Sequence, residues 1–131
     1  MKPALAPPVA APRRDLAGPA LRAFFNITRL WGLGAEQERV LLGNPGRSTF
    51  FRWKRDLDGA VSQDTLERIS YLLGIWKALQ ILFPDPAQAD AWIRRPNAAP
   101  VFGGQSALER MLAGHVADLY TVRRYLDAQR G

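Results

Sequence analysis

The run Arg47-Ser48-Thr49-Phe50-Phe51-Arg52-Trp53-Lys54-Arg55 gathers cations, hydroxyls and aromatic rings at helical spacing. On one helix, Arg47, Ser48, Arg52 and Arg55 face outward, while Phe50, Trp53 and Leu57, three and four residues apart, turn inward. The planar forks of Arg47 and Arg52 suit bidentate pairing with a guanine edge in a major groove, or a clamp on a phosphate. Lys54 and Arg55 suit backbone phosphates. Ser48 and Thr49 stand where the helix begins, so one hydroxyl is placed to cap free backbone amides and the other to bond a phosphate oxygen. The chemistry is recognition of a polyanion, with Arg47, Ser48, Thr49, Arg52, Lys54 and Arg55 as its candidate DNA-binding residues. The competing reading is a solvated basic helix whose aromatics fill an ordinary small core, because helices joined by Gly-containing turns also occur in proteins that never meet DNA.

Other chemistries find little support. The chain has no cysteine and one histidine, which excludes disulfides, thiolate catalysis, thiolate metal sites and a histidine metal cluster. His115, beside Gly114, has no serine or carboxylate arranged around it and reads as a helix-start or surface residue. Asp56, Asp58 and Asp64 lack the spaced oxygen ligands of a calcium loop and read as turn and capping residues. Gly103-Gly104 has neither a preceding strand nor a following Gly-Lys-Ser/Thr, so it is no phosphate loop. Trp31, Trp53, Trp76 and Trp92 read as core anchors. No catalytic residue, cofactor or metal is expected; the chain reads as a binding protein and not an enzyme.

The elements that must position the basic run are legible around it. Leu33, Val40, Leu41 and Leu42 give the preceding segment an apolar side, and Gly43-Asn44-Pro45-Gly46 supplies the break, so residues 36–56 have the layout of a helix-turn-helix. Upstream, Pro19 suits the first turn of a helix through Leu21, Phe24, Phe25, Ile27 and Leu30. Downstream, Ser62 or Asp64 can cap a long helix reaching about Phe83, with Glu67 at capping-box spacing from Asp64. Its two adjoining stripes, Leu66/Ile69/Leu73/Trp76 and Leu72/Ile75/Leu79/Leu82, need cover on more than one side, which makes it the expected spine between two halves. Pro84-Asp85-Pro86 ends it. A short helix with Ala87, Ala91, Trp92 and Ile93 stops at Arg94-Arg95-Pro96-Asn97, and an apolar loop over residues 98–105 follows. Ser106 can cap a helix of Leu108, Met111 and Leu112 that halts at Gly114. The last helix, residues 116–128, sets Leu119, Val122 and Leu126 on one face, with Tyr120, Arg123, Arg124 and Arg130 largely elsewhere. No alternating strand-length segment occurs, so the expected class is all-α.

Whole-chain quantities agree. A length of 131 residues with 47% hydrophobic content fits one compact unit or two small ones sharing a core. Eighteen Lys and Arg against twelve Asp and Glu leave +6, which favours a polyanionic partner, although an Arg- and Ala-rich composition also arises from coding bias. The longest apolar run, residues 71–83, carries Lys77 and Gln80 and falls short of the ~20 residues that span a bilayer, so no membrane partner is expected. Residues 1–14 are rich in Ala and Pro, and Pro3, Pro7, Pro8 and Pro12 break up any secretory core. They read as a disordered, extended leader, and with nothing pointing to export the expected location is cytoplasmic.

Taken in order, Glu67-Arg68-Ile69, Leu72-Leu73-Gly74-Ile75-Trp76-Lys77-Ala78-Leu79, Leu82-Phe83, Ala89, Trp92 and Pro96-Asn97 form the first part of a longer pattern. Phe102-Gly103-Gly104, Ser106, Leu108, Met111, Gly114 and Val122-Arg123-Arg124-Tyr125-Leu126-Asp127 complete it, and the whole resembles the Xre/MbcA/ParS antitoxin family. Leu41-Leu42-Gly43 and Arg47-Ser48-Thr49-Phe50-Phe51-Arg52-Trp53 are similar to the family's DNA-binding half, so the resemblance covers about residues 35–129.

The resemblance implies a type II toxin-antitoxin antitoxin. Its amino half would bind operator DNA and repress its own operon, and its carboxy half would bind and inhibit a RES-domain toxin, a class that consumes NAD. It also implies a homodimer, in keeping with paired operator half-sites and the surface left on the apolar spine. The matching toxin-binding positions are Phe102, Gly103, Gly104, Ser106, Arg123, Arg124, Tyr125 and Arg130, the last as a plug for the toxin's active-site entrance. The expected domains are a disordered leader over residues 1–17, a helix-turn-helix region over 18–61 and a toxin-binding and dimerisation domain over 62–131. One departure is Ala107, where family members often carry a Pro that would preset the first helical turn. Two alternatives stay open: a stand-alone helix-turn-helix regulator whose carboxy half only dimerises, and a protein-binding scaffold without DNA binding.

Overall fold

The structure, a computed structural model, describes residues 14–131. The expected leader lies outside the described residues up to residue 13. Among the described residues the chain forms α1 (Arg14–Leu30), α2 (Ala35–Leu41), α3 (Arg47–Asp56), α4 (Gln63–Leu82), α5 (Pro86–Ala91), a 3-10 turn (Trp92–Arg94), α6 (Ala107–Met111) and α7 (Val116–Arg130). The protein is all-α, with a helix-turn-helix bundle in front and a small helical module behind, joined through α4. No described helix is long and apolar enough to cross a membrane.

α1 corrects the expected start at Pro19 and the extension of the leader to residue 17. The helix begins at Arg14 and Pro19 lies inside it. Its buried stripe starts upstream of the proline, at Ala17, and continues through Leu21, Phe24 and Ile27 to Trp31 just past the helix end. Pro19 withholds one amide early in the helix, and burial of the stripe, worth about 1.5–3 kcal/mol per large side chain, outweighs that loss. Between α2 and α3 the chain reverses through Gly43 at φ 95° and Asn44 at φ 59°, the left-handed region that Gly and Asn tolerate best.

α4 is the spine. Of its two possible caps Ser62 is used, its Oγ accepting the Thr65 amide at 3.1 Å. Ile69, Leu72, Ile75, Ala78 and Leu79 are buried, with α1 and α7 both packed against the helix. Gly74 lies beneath α7: a Cβ there would stand 2.4 Å from Arg123 Nε. Polar ties join the turn before α2 to the 3-10 turn, and α4 to both the end of α2 and the turn between α6 and α7. Arg94 Nη2 donates to the carbonyls of Trp31 (2.8 Å) and Gly32 (3.0 Å). Thr65 Oγ1 donates to the Leu42 carbonyl at 3.3 Å, and Arg68 Nη1 donates to the Gly114 carbonyl at 3.0 Å.

Candidate functional site

α3 presents the first surface. Its N-cap is Gly46, which has no side chain to offer, and the first bonded amide is that of Phe50, 2.9 Å from the Gly46 carbonyl. The expectation that Ser48 or Thr49 caps the helix is therefore corrected: both lie inside the first turn. The early amides of a helix have no intrahelical acceptor, so those of Arg47, Ser48 and Thr49 are available to an anion. Ser48, Arg52 and Arg55 are exposed, Thr49 is half-buried, and the Arg47 side chain is 68% exposed. Arg47 Nη2 reaches Glu36 Oε1 at 2.5 Å and Arg39 Nε reaches Glu36 Oε2 at 3.0 Å. Hydrogen bonds from Arg39 and Arg47 hold the Glu36 carboxyl below its usual range. Arg55 grips Asp56 through Nε at 2.8 Å and Nη2 at 3.1 Å, which lowers the Asp56 pKa. The charge of Arg52 also favours the ionised Asp56 carboxylate.

Lys54 is set apart from the other cations of α3 by its partners. Its Nζ lies 2.6 Å from Oε1 of the buried Glu38 and 5.6 and 5.9 Å from the ring centres of Phe25 and Phe50. Glu38 Oε2 accepts the Thr28 hydroxyl at 2.5 Å, so one carboxylate joins α1, α2 and α3. The ammonium opens onto a groove of about 550 Å³ that Arg22, Phe25 and Arg29 also line.

The second surface is the loop before α6. The Asn97 amide donates to the Gln105 carbonyl at 3.0 Å, and the Gly104 amide donates back to the Asn97 carbonyl at 2.9 Å, which closes the loop. Gly103 (φ 58°) and Gly104 (φ 89°) are exposed, and a Cβ on either would meet nothing within 4 Å. Glycine is there for backbone conformation, not for space. Phe102 is 3% exposed, wedged edge-on against Tyr125 (5.1 Å) and Trp92 (6.0 Å). Ser106 is also buried: its Oγ accepts the Glu109 amide and its amide donates to Glu109 Oε1, both at 3.1 Å. The capping box fixes the turn that Ala107, in place of Pro, does not preset. Phe102 and Ser106 thus frame the loop.

The family model of the antitoxin Xre-like helix-turn-helix domain matches residues 10–74, and that of the antitoxin Xre/MbcA/ParS C-terminal toxin-binding domain matches residues 78–131. The chain belongs to the Xre/MbcA/ParS antitoxin family. A relative from Sinorhizobium fredii (strain NBRC 101917 / NGR234), "Uncharacterized protein y4oB", is 57% identical over 111 residues, 85% of this chain and 84% of its own. The interval between the two matched domains falls inside α4, so the antitoxin's two parts share their longest helix.

Within this antitoxin the expected toxin-binding residues divide between two flanks of α7. Tyr125 stacks on Trp92 and meets Phe102 on the loop side. Arg123 lies across Gly74 on the α4 side, 3.6 Å from Asp127, and Arg130 approaches the same carboxylate at 3.7 Å. Arg124 Nη1 donates to the Tyr120 hydroxyl at 3.0 Å, and Tyr71, Tyr120, Arg123, Arg124 and Asp127 line a groove of about 270 Å³. Sequence reasoning missed Tyr71 and Asp127 as partners in that groove. It also missed Arg110, which donates to the Val101 carbonyl at 2.5 Å and to Asp118 Oδ1 at 2.8 Å, tying the loop to α7. Burial pushes the Asp118 carboxyl up, but hydrogen bonds with Arg110 and His115 outweigh it and leave the pKa lowered. The Tyr71–Tyr120 pairing and the Arg110 bridge join separate helices, and no spacing within one helix signals them.

Proposed function

We propose that this antitoxin represses its own operon through α3 and inhibits a RES-domain, NAD-consuming toxin through its carboxy-terminal module. The observation that carries the reading is the tandem match to a DNA-binding and a toxin-binding antitoxin domain on one α4 spine. In it the open amides of the first turn of α3 and the side chains of Arg47, Ser48, Thr49, Arg52 and Arg55 meet the operator. Gly103 and Gly104 offer backbone to the toxin, Tyr125 flanks them, and Arg123, Arg124 and Arg130 supply charge from the other flank of α7. The active species is a cytoplasmic homodimer whose two α3 helices address paired half-sites.

Co-expression with the toxin gene next to its own tests the first half: growth and cellular NAD are restored if the reading is right, and a cell that still dies with full-length antitoxin present excludes it. Retardation of the duplex upstream of its own reading frame, together with light scattering of the free protein, tests repression and dimerisation. A monomer at working concentration removes the paired half-site.

A further inference from the structure

α3 carries an aromatic ring in the middle of a face otherwise made of charge and hydroxyl. Ser48, Phe51, Arg52 and Arg55 are spaced i, i+3, i+4 and i+7, so they share one side of the helix, and all four are exposed. Phe51 is 49% exposed, while Phe50 beside it is buried completely. The exposed ring meets Phe50 edge-on at 5.0 Å between centres with the planes at 74°, a favoured pair geometry.

The neighbours of Phe51 decide what can cover it. An apolar protein surface seated on the ring would strip water from Arg52 and from the Arg55–Asp56 pair without replacing it, a large cost for charge. A polyanion accepts those guanidiniums. Duplex DNA is a polyanion that also displays apolar groups at side-chain depth in its major groove, the C5-methyl groups of thymine. We propose that Phe51 is a specificity-determining residue that reads thymine methyl groups in the operator while Arg52, Arg55 and the first-turn amides of α3 hold the adjoining phosphates. This inference rests on the DNA-binding reading above.

The test uses the full chain and the duplex upstream of its own reading frame, prepared once with thymidine and once with deoxyuridine throughout. Deoxyuridine removes the methyl and keeps every hydrogen-bonding group. Wild-type protein should bind the thymidine duplex more tightly, by roughly fourfold per methyl covered, the yield of burying one methyl-sized group. Phe51→Ala should bind the two duplexes alike, at the level wild type shows on deoxyuridine; any change in duplex shape acts on both proteins and cancels. Equal binding of both duplexes by wild type overturns the proposal, and so does an undiminished thymidine preference in Phe51→Ala. A variant that keeps its thymidine preference but loses dimer mass or toxin binding assigns the ring to a protein contact and likewise overturns it. If neither duplex is held better than a shuffled duplex of the same composition, the DNA-binding reading itself has failed.

Discussion

The face of α3 and the loop before α6 are both candidate binding surfaces, and they are built in opposite ways. On α3 the helix is the scaffold, its inward residues Phe50 and Trp53 are core, and what it offers is side chains that stand clear of it. In the loop the named side chains are used up in construction: Phe102 anchors it, Ser106 caps the next helix, and the exposed tip is the backbone of Gly103 and Gly104. A surface of the first kind reads charge and groups on a regular lattice, as a duplex presents. One of the second kind offers main-chain donors and acceptors in a fixed shape, which suits a single protein partner. Mutation therefore has different consequences: on α3 binding is separable from folding, and in the loop it is not.

Two phenylalanines give the sharpest contrast. Phe102→Ala should cost about 3–5 kcal/mol, the range for emptying a buried aromatic site, and should weaken toxin binding although the ring need not touch the toxin. Phe51→Ala should stay within about 0.5 kcal/mol of wild type, as exposed substitutions do. Urea unfolding of both variants beside toxin titration would show it, and equal stability losses would erase the contrast.

Two cations on α3 come next. Lys54→Ala leaves Glu38 buried without its ammonium, and because the Lys54 side chain is 43% exposed the loss should be about 1–3 kcal/mol, below that for a fully buried pair. Arg52→Ala should be neutral for folding and reduce the salt dependence of operator binding by about one unit of slope. The reverse pattern would make Lys54 the phosphate contact.

A smaller effect is expected at the loop tip. Gly103→Ala places a Cβ on a residue at φ 58°, at a cost of roughly 1–2 kcal/mol in the left-handed region. Space is open around that Cβ, so a loss of toxin affinity greater than the loss of stability would mean that the partner approaches the backbone there. Unchanged affinity would take the glycine out of the interface.

How far each surface was legible follows from the same contrast. Helical periodicity announced the outward Arg47, Ser48, Arg52 and Arg55 and the inward Phe50 and Trp53, because both sets are fixed by one element's own geometry. It did not reach Lys54, whose orientation depends on Glu38 sixteen residues away and on the Phe25 ring of α1. Pro19 misled because a local start signal was weighed without the burial of Ala17. In the loop the glycine pair was visible, yet resemblance marked Phe102 and Ser106 as functional without distinguishing a residue that touches the partner from one that shapes what does. Arg110 was illegible, since its two acceptors, Val101 and Asp118, come from the loop and from α7.

Acid should separate the two regions by a further, smaller effect. Asp118 is partly buried, and its folded pKa lies below the ordinary 3.8 because Arg110 and His115 bond its charged form. A carboxyl whose pKa is depressed on folding stabilises the fold above its unfolded value, and that contribution is lost as pH falls through the folded one. The loop's tie to α7 therefore contributes in full at neutral pH and fades below about pH 4. Asp118→Asn should lower stability at pH 7 and flatten the fall in stability on acidification, as followed by unfolding midpoints from pH 7 downward. Glu36 and Asp56 are depressed as well, but both are exposed, so water already screens their pairs with Arg47 and Arg55. Protonating them releases those guanidiniums instead of loosening the core. An acid slope unchanged by Asp118→Asn but reduced by Glu36→Gln would place the pH-sensitive support in the DNA-binding half, the reverse of what the burial of these carboxylates requires.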